Sequence, residues 1–145
     1  MIERELDIAT QDGAMNTYTV RPDDGGPLPV VLMLMDAPGV REGLREICRR
    51  ISQSGYYVLL PNLYYRSTRE FVCGPTRNHP DGEANLKRMF GLMETLSNAR
   101  VAADTGAVLD VLPTLPDAKS GKVGLVGYCM SGAFVTAAVQ PLIRA

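Results

Sequence analysis

The residues best able to do chemistry in this chain are Gly127-Tyr128-Cys129-Met130-Ser131-Gly132. The apolar run Val123–Tyr128 leads into them and a helical run, Ala133–Gln140, leads out. A cysteine between a strand end and a helix start, with small residues at −2, +2 and +3, has the pattern of a nucleophile elbow. Small neighbours let the chain turn sharply enough to expose the side chain. The helix dipole and its free N–H groups favour a thiolate there, so the chemistry is nucleophilic. The plain alternative is a buried, inert cysteine in a strand-to-helix turn. The same residues overlap a G-x-G-x-x-G dinucleotide fingerprint. Its middle glycine lets the backbone approach a pyrophosphate, and a cysteine side chain obstructs that approach. A second segment, Asp36-Ala37-Pro38-Gly39, follows another apolar run. Asp36 taken alone reads equally well as a turn or helix cap.

The elements that must position these residues follow from periodicity. Ile2, Leu6 and Ile8 fall on alternate positions, and Gln11-Asp12-Gly13 turns the chain into Met15–Val20, which predicts an antiparallel hairpin. Pro22–Pro27 is a loop. Val30–Met35 is apolar at every position, as in a strand covered on both faces. Leu44, Ile47, Cys48 and Ile51 follow helical spacing, with Gly55 placed as a C-terminal cap. Tyr56–Leu60 is a second buried strand, stopped by Pro61. Residues 61–80 form an irregular stretch, long enough in a compact domain to suggest a functional loop. Leu86, Met89, Phe90 and Met93 predict a helix with a core-facing stripe. Val101, Thr105, Val108, Leu109 and Leu112 predict another, capped by Ser97 or Asn98 and ended by Pro113 and Pro116. Alternating strands and helices imply right-handed crossovers, so the fold class is α/β with a mainly parallel sheet. Ligands of such sheets bind at the carboxyl ends of the strands, where Cys129 and Asp36 both fall.

Composition narrows the function classes. Fifteen Lys and Arg against sixteen Asp and Glu give a net charge of −1, which supplies no electrostatic reason to bind nucleic acid or an anionic membrane. The 46% of apolar residues is that of a globular chain. No apolar run approaches a membrane span, and Met1-Ile2-Glu3-Arg4-Glu5 lacks a signal-peptide core. Three widely spaced cysteines, Cys48, Cys73 and Cys129, disfavour a disulfide framework or zinc site and point to a reducing cytoplasm. No metal or cofactor is expected. His79, the single histidine, lies in the long loop and reads as a surface residue. Arg66, taken alone, reads as a solvated loop charge.

The sequence resembles the dienelactone hydrolase family of α/β-hydrolases. The resemblance is carried by Val30–Gly39, Ser54–Arg66 (with Pro61-Asn62-Leu63-Tyr64-Tyr65-Arg66), Asp104–Leu112 and Lys122–Gly132 with its Gly-Tyr-Cys elbow. It implies a three-layer α/β-hydrolase-like fold with an N-terminal antiparallel hairpin, residues 1–145 forming one partial domain. It implies Cys129 as nucleophile, an oxyanion hole from the backbone N–H groups of Met130 and Ala37, and a small ester or lactone as substrate. It also implies that Arg66 holds a substrate carboxylate, and places Asp36 where the family has a glutamate that contacts the resting cysteine. Family order runs nucleophile, acid, histidine. His79 precedes Cys129, and only sixteen residues follow it, so the triad acid and histidine are expected to be absent from this chain along with the C-terminal strands. Val123–Tyr128 is then expected to be an edge strand without charge or proline to deter pairing. That suggests a homodimer or higher oligomer through Val123–Tyr128 or Ala133–Ala145. The alternative function is a catalytically inactive, self-associating module.

Overall fold

The computed structural model describes residues 1–144, with side chains described through Val139. The chain opens with the expected hairpin: β1 (Ile2–Thr10) pairs antiparallel with β2 (Gly13–Arg21), Thr10 opposite Gly13. Gly13 takes φ +129°, and the Thr10 hydroxyl donates to its carbonyl at 2.8 Å, closing a two-residue turn. β3 (Leu28–Leu34), α1 (Glu42–Gln53) and β4 (Tyr57–Pro61) follow. Gly55 is left-handed (φ +91°) and its N–H reaches Ser52 O at 2.9 Å, so it ends α1 as its position predicts. After the irregular loop come α2 (Gly82–Met93), α3 (Asn98–Val111) and a short 3₁₀ turn (Leu112–Thr114). β5 (Ala118–Gly127) and α4 (Ser131–Arg144) complete the described chain. The Ser97 side chain caps α3 by accepting from Arg100 N at 3.2 Å. The expected interface segment Ala133–Ala145 extends beyond the described residues at Ala145.

These strands form one sheet in the order β1-β2-β4-β3-β5. β3 runs parallel to β4 and β5, while the hairpin adds antiparallel pairs at the other side, so the sheet is mixed. α1 packs on β2 and β4; α3 and α4 pack on each other and reach β1 and β5. Two covered faces explain why β3 and β4 are apolar at nearly every residue: Val30–Leu34 and Tyr57–Leu60 are all buried.

Two elements depart from expectation. The α2 stripe meets the core only in part, through Met89 with Leu92 beside it. Gly82 is its one buried residue, Leu86, Met89 and Met93 are half-buried, and Phe90 is 52% exposed. Periodicity marks the stripe but does not say whether another element reaches it. β5 is also ten residues long rather than six, because Leu28 and Ala118 pair across a bulge before Val30 meets Val123. As expected it lies at the sheet edge, and none of its residues is fully buried.

That gradient of burial has an energetic consequence. Leu59, Leu32 and Leu125 stand side by side across β4, β3 and β5. Leu59 is inaccessible to solvent, whereas Leu125 is only partly buried. Leu59→Ala is expected to cost about 3 kcal/mol and Leu125→Ala less than half as much. Urea denaturation measures both, and equal losses would contradict the placement of β5 at an open edge.

Candidate active site

β5 ends at Gly127 and α4 begins at Ser131, leaving three residues to turn the chain. Ser131 N–H reaches Tyr128 O at 2.9 Å and Gly132 N–H reaches Cys129 O at 3.0 Å. The turn is made by putting Cys129 itself into the left-handed region (φ +51°). For a residue with a Cβ that geometry costs about 1–2 kcal/mol, and such strain persists only where the surroundings impose it. Gly127 is part of that imposition. A Cβ there would sit 2.6 Å from both Ser131 O and Val135 Cγ2, so no larger residue fits under α4. Ser131 is buried and its hydroxyl donates to Met35 O, fastening the start of α4 to the end of β3. Gly132 differs from the expectation of obligatory small neighbours: a Cβ at that position meets nothing. Cys129 is exposed at the apex.

Asp36–Gly39 lies beside it, after β3. Gly39 N–H closes a turn on Asp36 O at 3.2 Å, with φ +93°. A Cβ on Gly39 would overlap Phe71 O at 2.1 Å, which shows how closely the long loop presses on this turn. The loop makes two further attachments: Cys73 N–H to Pro38 O at 2.9 Å, and the Tyr64 hydroxyl to Ala37 O at 3.0 Å. Tyr64 is buried, and its ring meets Phe71 edge-on with centroids 5.8 Å apart. Its oxygen also touches Met130 Sδ at 3.7 Å. Burial pushes the Tyr64 phenol up to about 12, and Asp36, Cys73 and Cys129 add to the shift, so it remains a neutral donor. The loop is held in turn by Asn62, whose amide donates to Thr68 O at 2.8 Å and Asn16 Oδ1 at 3.0 Å.

Cys129, Met130, Ala37 and Asp36 are therefore brought together at the carboxyl ends of β3 and β5. Arg66 follows β4 at the same end of the sheet but on the hairpin side, beside Asp12. Arg66 donates to both carboxylate oxygens of Asp104 at 2.8 and 2.9 Å and to Asp12 at 2.7 Å, and stacks on Tyr65. The Asp104 side chain is 2% exposed, and breaking so buried a pair typically costs about 3–5 kcal/mol. Arg66, expected to hold a substrate carboxylate, here directs its donors to Asp12 and Asp104 and so ties the β1–β2 turn to α3. Asp36, expected to contact the resting cysteine, accepts from Arg41 on both carboxylate oxygens, at 2.5 and 2.9 Å. His79 is exposed, and its Nδ1 accepts from Asp81 N at 3.1 Å ahead of α2. Arg41 and Tyr64 are the site residues that motif reading passes over. Tyr64 had a signal: Leu63, Tyr64, Tyr65 and Phe71 are too apolar for a solvated loop.

A cavity of about 890 Å³ lies at the opposite end of β5, between Leu109, Leu112 and Val123. It holds none of the elbow residues. Among the described residues there is no cluster able to hold a metal and no helix long and apolar enough to cross a membrane.

A β1-β2-β4-β3-β5 sheet with a left-handed elbow between its last strand and the next helix defines an α/β-hydrolase fold. The dienelactone hydrolase family model matches residues 15–143, and the chain belongs to that family. A relative from Methylorubrum extorquens named "Putative carboxymethylenebutenolidase" is 27% identical over all of this chain and 47% of its own length. One of the same name from Synechocystis is 31% identical over 95% of this chain and 54% of its own. The crystal structure of a "Putative Dienelactone Hydrolase" from Klebsiella pneumoniae superposes with a TM-score of 0.69 at 27% identity, over 92% of this chain and 53% of that one. The chain thus spans about half the length of the relatives it matches.

The three thiols differ sharply in environment. Cys48 is buried against Met33, and burial pushes its pKa up to about 12, while Cys129 is exposed. Iodoacetamide at pH 8 is expected to label Cys129 first and to leave Cys48 unmodified in the folded protein. Peptide mass spectrometry checks the order, and prior labelling of Cys48 or Cys73 would contradict it.

Proposed function

We propose that this chain carries the acyl-transfer half of an ester or lactone hydrolase, with Cys129 as nucleophile. The observation that carries the reading is the exposed, left-handed Cys129 at the junction of β5 and α4. The Cys129 thiolate attacks the substrate carbonyl carbon, and a C–S bond forms as the carbonyl π pair moves to oxygen. The backbone N–H groups of Met130 and Ala37 donate to that oxyanion. Collapse breaks the C–O bond and expels the alkoxide, which takes up a proton, leaving a Cys129 thioester for water to hydrolyse. The base and acid that move those protons come from outside these 145 residues. The names of the relatives support a lactone or ester as the substrate class.

A nitrophenyl ester tests this directly, because nitrophenolate departs without a proton donor. About one equivalent of nitrophenolate per chain is expected in a burst, with the acyl group on Cys129 by mass spectrometry and slow turnover afterwards. Cys129→Ala is expected to abolish the burst. A burst that survives that substitution, or acyl groups found only on Cys73, would overturn the assignment.

The open edge of β5 supports a second reading, self-association. β5 pairs only with β3, and Val123–Tyr128 offers neither charge nor proline against a second copy. Light scattering at low micromolar concentration is expected to give at least twice the chain mass of 15.7 kDa. A monomer there would remove this reading.

A further inference from the structure

Two loops must be held in register for the proposed oxyanion hole to exist. One N–H donor, Ala37, follows β3, and the other, Met130, follows β5. Neither loop fixes the other through its own backbone. Tyr64 is the residue that reaches both. Its hydroxyl donates to Ala37 O at 3.0 Å and its oxygen lies 3.7 Å from Met130 Sδ. It is 1% exposed, and its ring is braced edge-on by Phe71, whose backbone carbonyl abuts Gly39. Among the described residues the hydroxyl contacts only Ala37 and Met130, and burial raises its pKa to about 12 so that it stays a neutral donor.

We infer that Tyr64 is a positioning residue for acyl transfer, its buried hydroxyl fixing Ala37 against Met130 so that both backbone N–H groups converge on one oxyanion. The inference rests on the acyl-transfer reading of Cys129. Tyr64 acts through Ala37 and touches no reacting atom. Its effect is confined to steps in which a carbonyl oxygen gains charge. Thioester formation is such a step. Alkylation by iodoacetamide is not, since sulfur displaces iodide at a saturated carbon and no oxyanion forms.

The comparison of those two reactions on the same thiol isolates the role. Tyr64→Phe keeps the ring and its packing on Phe71 and removes only the hydroxyl. Removing an oxyanion donor outright costs about 10²–10³ in rate, and loosening one that remains should cost less, about tenfold. Tyr64→Phe is therefore expected to slow acylation of Cys129 by a nitrophenyl ester about tenfold while its alkylation rate stays within twofold of wild type. Phe71→Leu, which slackens the ring but keeps the hydroxyl, is expected to lower the acylation-to-alkylation ratio about threefold, and it carries the test if Tyr64→Phe does not fold. A merely structural tyrosine would move both rates together. An unchanged ratio in the folded variants, or equal losses in both reactions, overturns the positioning role while leaving Cys129 as nucleophile. Absence of any burst from the wild-type chain overturns the acyl-transfer reading, and this inference with it.

Discussion

The close approach of α4 to the end of β5 at Gly127 sets the geometry on which the rest of the site depends. With only a hydrogen at that position, Ser131 O and Val135 sit where any Cβ would be, and the first turn of α4 lies directly on the strand. Three residues then have to reverse the chain. They can do so only if one of them adopts left-handed geometry, and it falls to Cys129. A thiol that would otherwise pack against the sheet is instead held out at the surface. The strain is sustained by burial of Ser131 and its hydroxyl bond to Met35 O, which anchor α4 to the adjacent strand. Central β3 thus supports the elbow from one side and leads into the Asp36–Gly39 turn on the other.

That second turn depends on the long loop between β4 and α2. Three attachments converge on four residues: Tyr64 on Ala37, the Phe71 backbone against Gly39, and Cys73 N–H on Pro38 O. A loop of this length could not otherwise offset its ordering entropy. The Asp36–Arg41 pair completes the arrangement electrostatically. Arg41 offsets the Asp36 charge, and its side chain makes no cap bond to its own helix.

Much of this was legible in the residues themselves. Continuous apolar runs marked β3 and β4, Gly55 marked the end of α1, Ser97 marked the start of α3, and small residues around Cys129 marked the elbow. Each of these is a local signal with a local cause. What escaped was decided by partners distant in sequence. Arg66 sits in a motif that matches the family, but its role depends on Asp104, thirty-eight positions away on another element. Phe90 has the right spacing for a core stripe, yet α2 has little above it to pack against. Tyr64 stands beside Arg66 in the same motif, and only the folded loop shows that the tyrosine, not the arginine, faces the elbow.

The division of chemical labour follows from where charge must be managed. Stabilising an oxyanion needs dipoles fixed in advance, and the surroundings of Cys129 are rigid: a strained turn, a glycine without room for a side chain, a buried phenol. Moving a proton needs instead a titratable group able to reach the reacting atoms. The chain's single histidine, His79, stands exposed at the mouth of α2, its Nδ1 accepting from the Asp81 N–H. The two contributions are of similar size, roughly 10²–10³ for an oxyanion donor and 10²–10⁴ for general acid–base catalysis. They are separable because they act on different atoms. An ester whose leaving group departs as a stable anion draws only on the first, whereas an alkyl ester or lactone, whose alkoxide must be protonated as it leaves, draws on both.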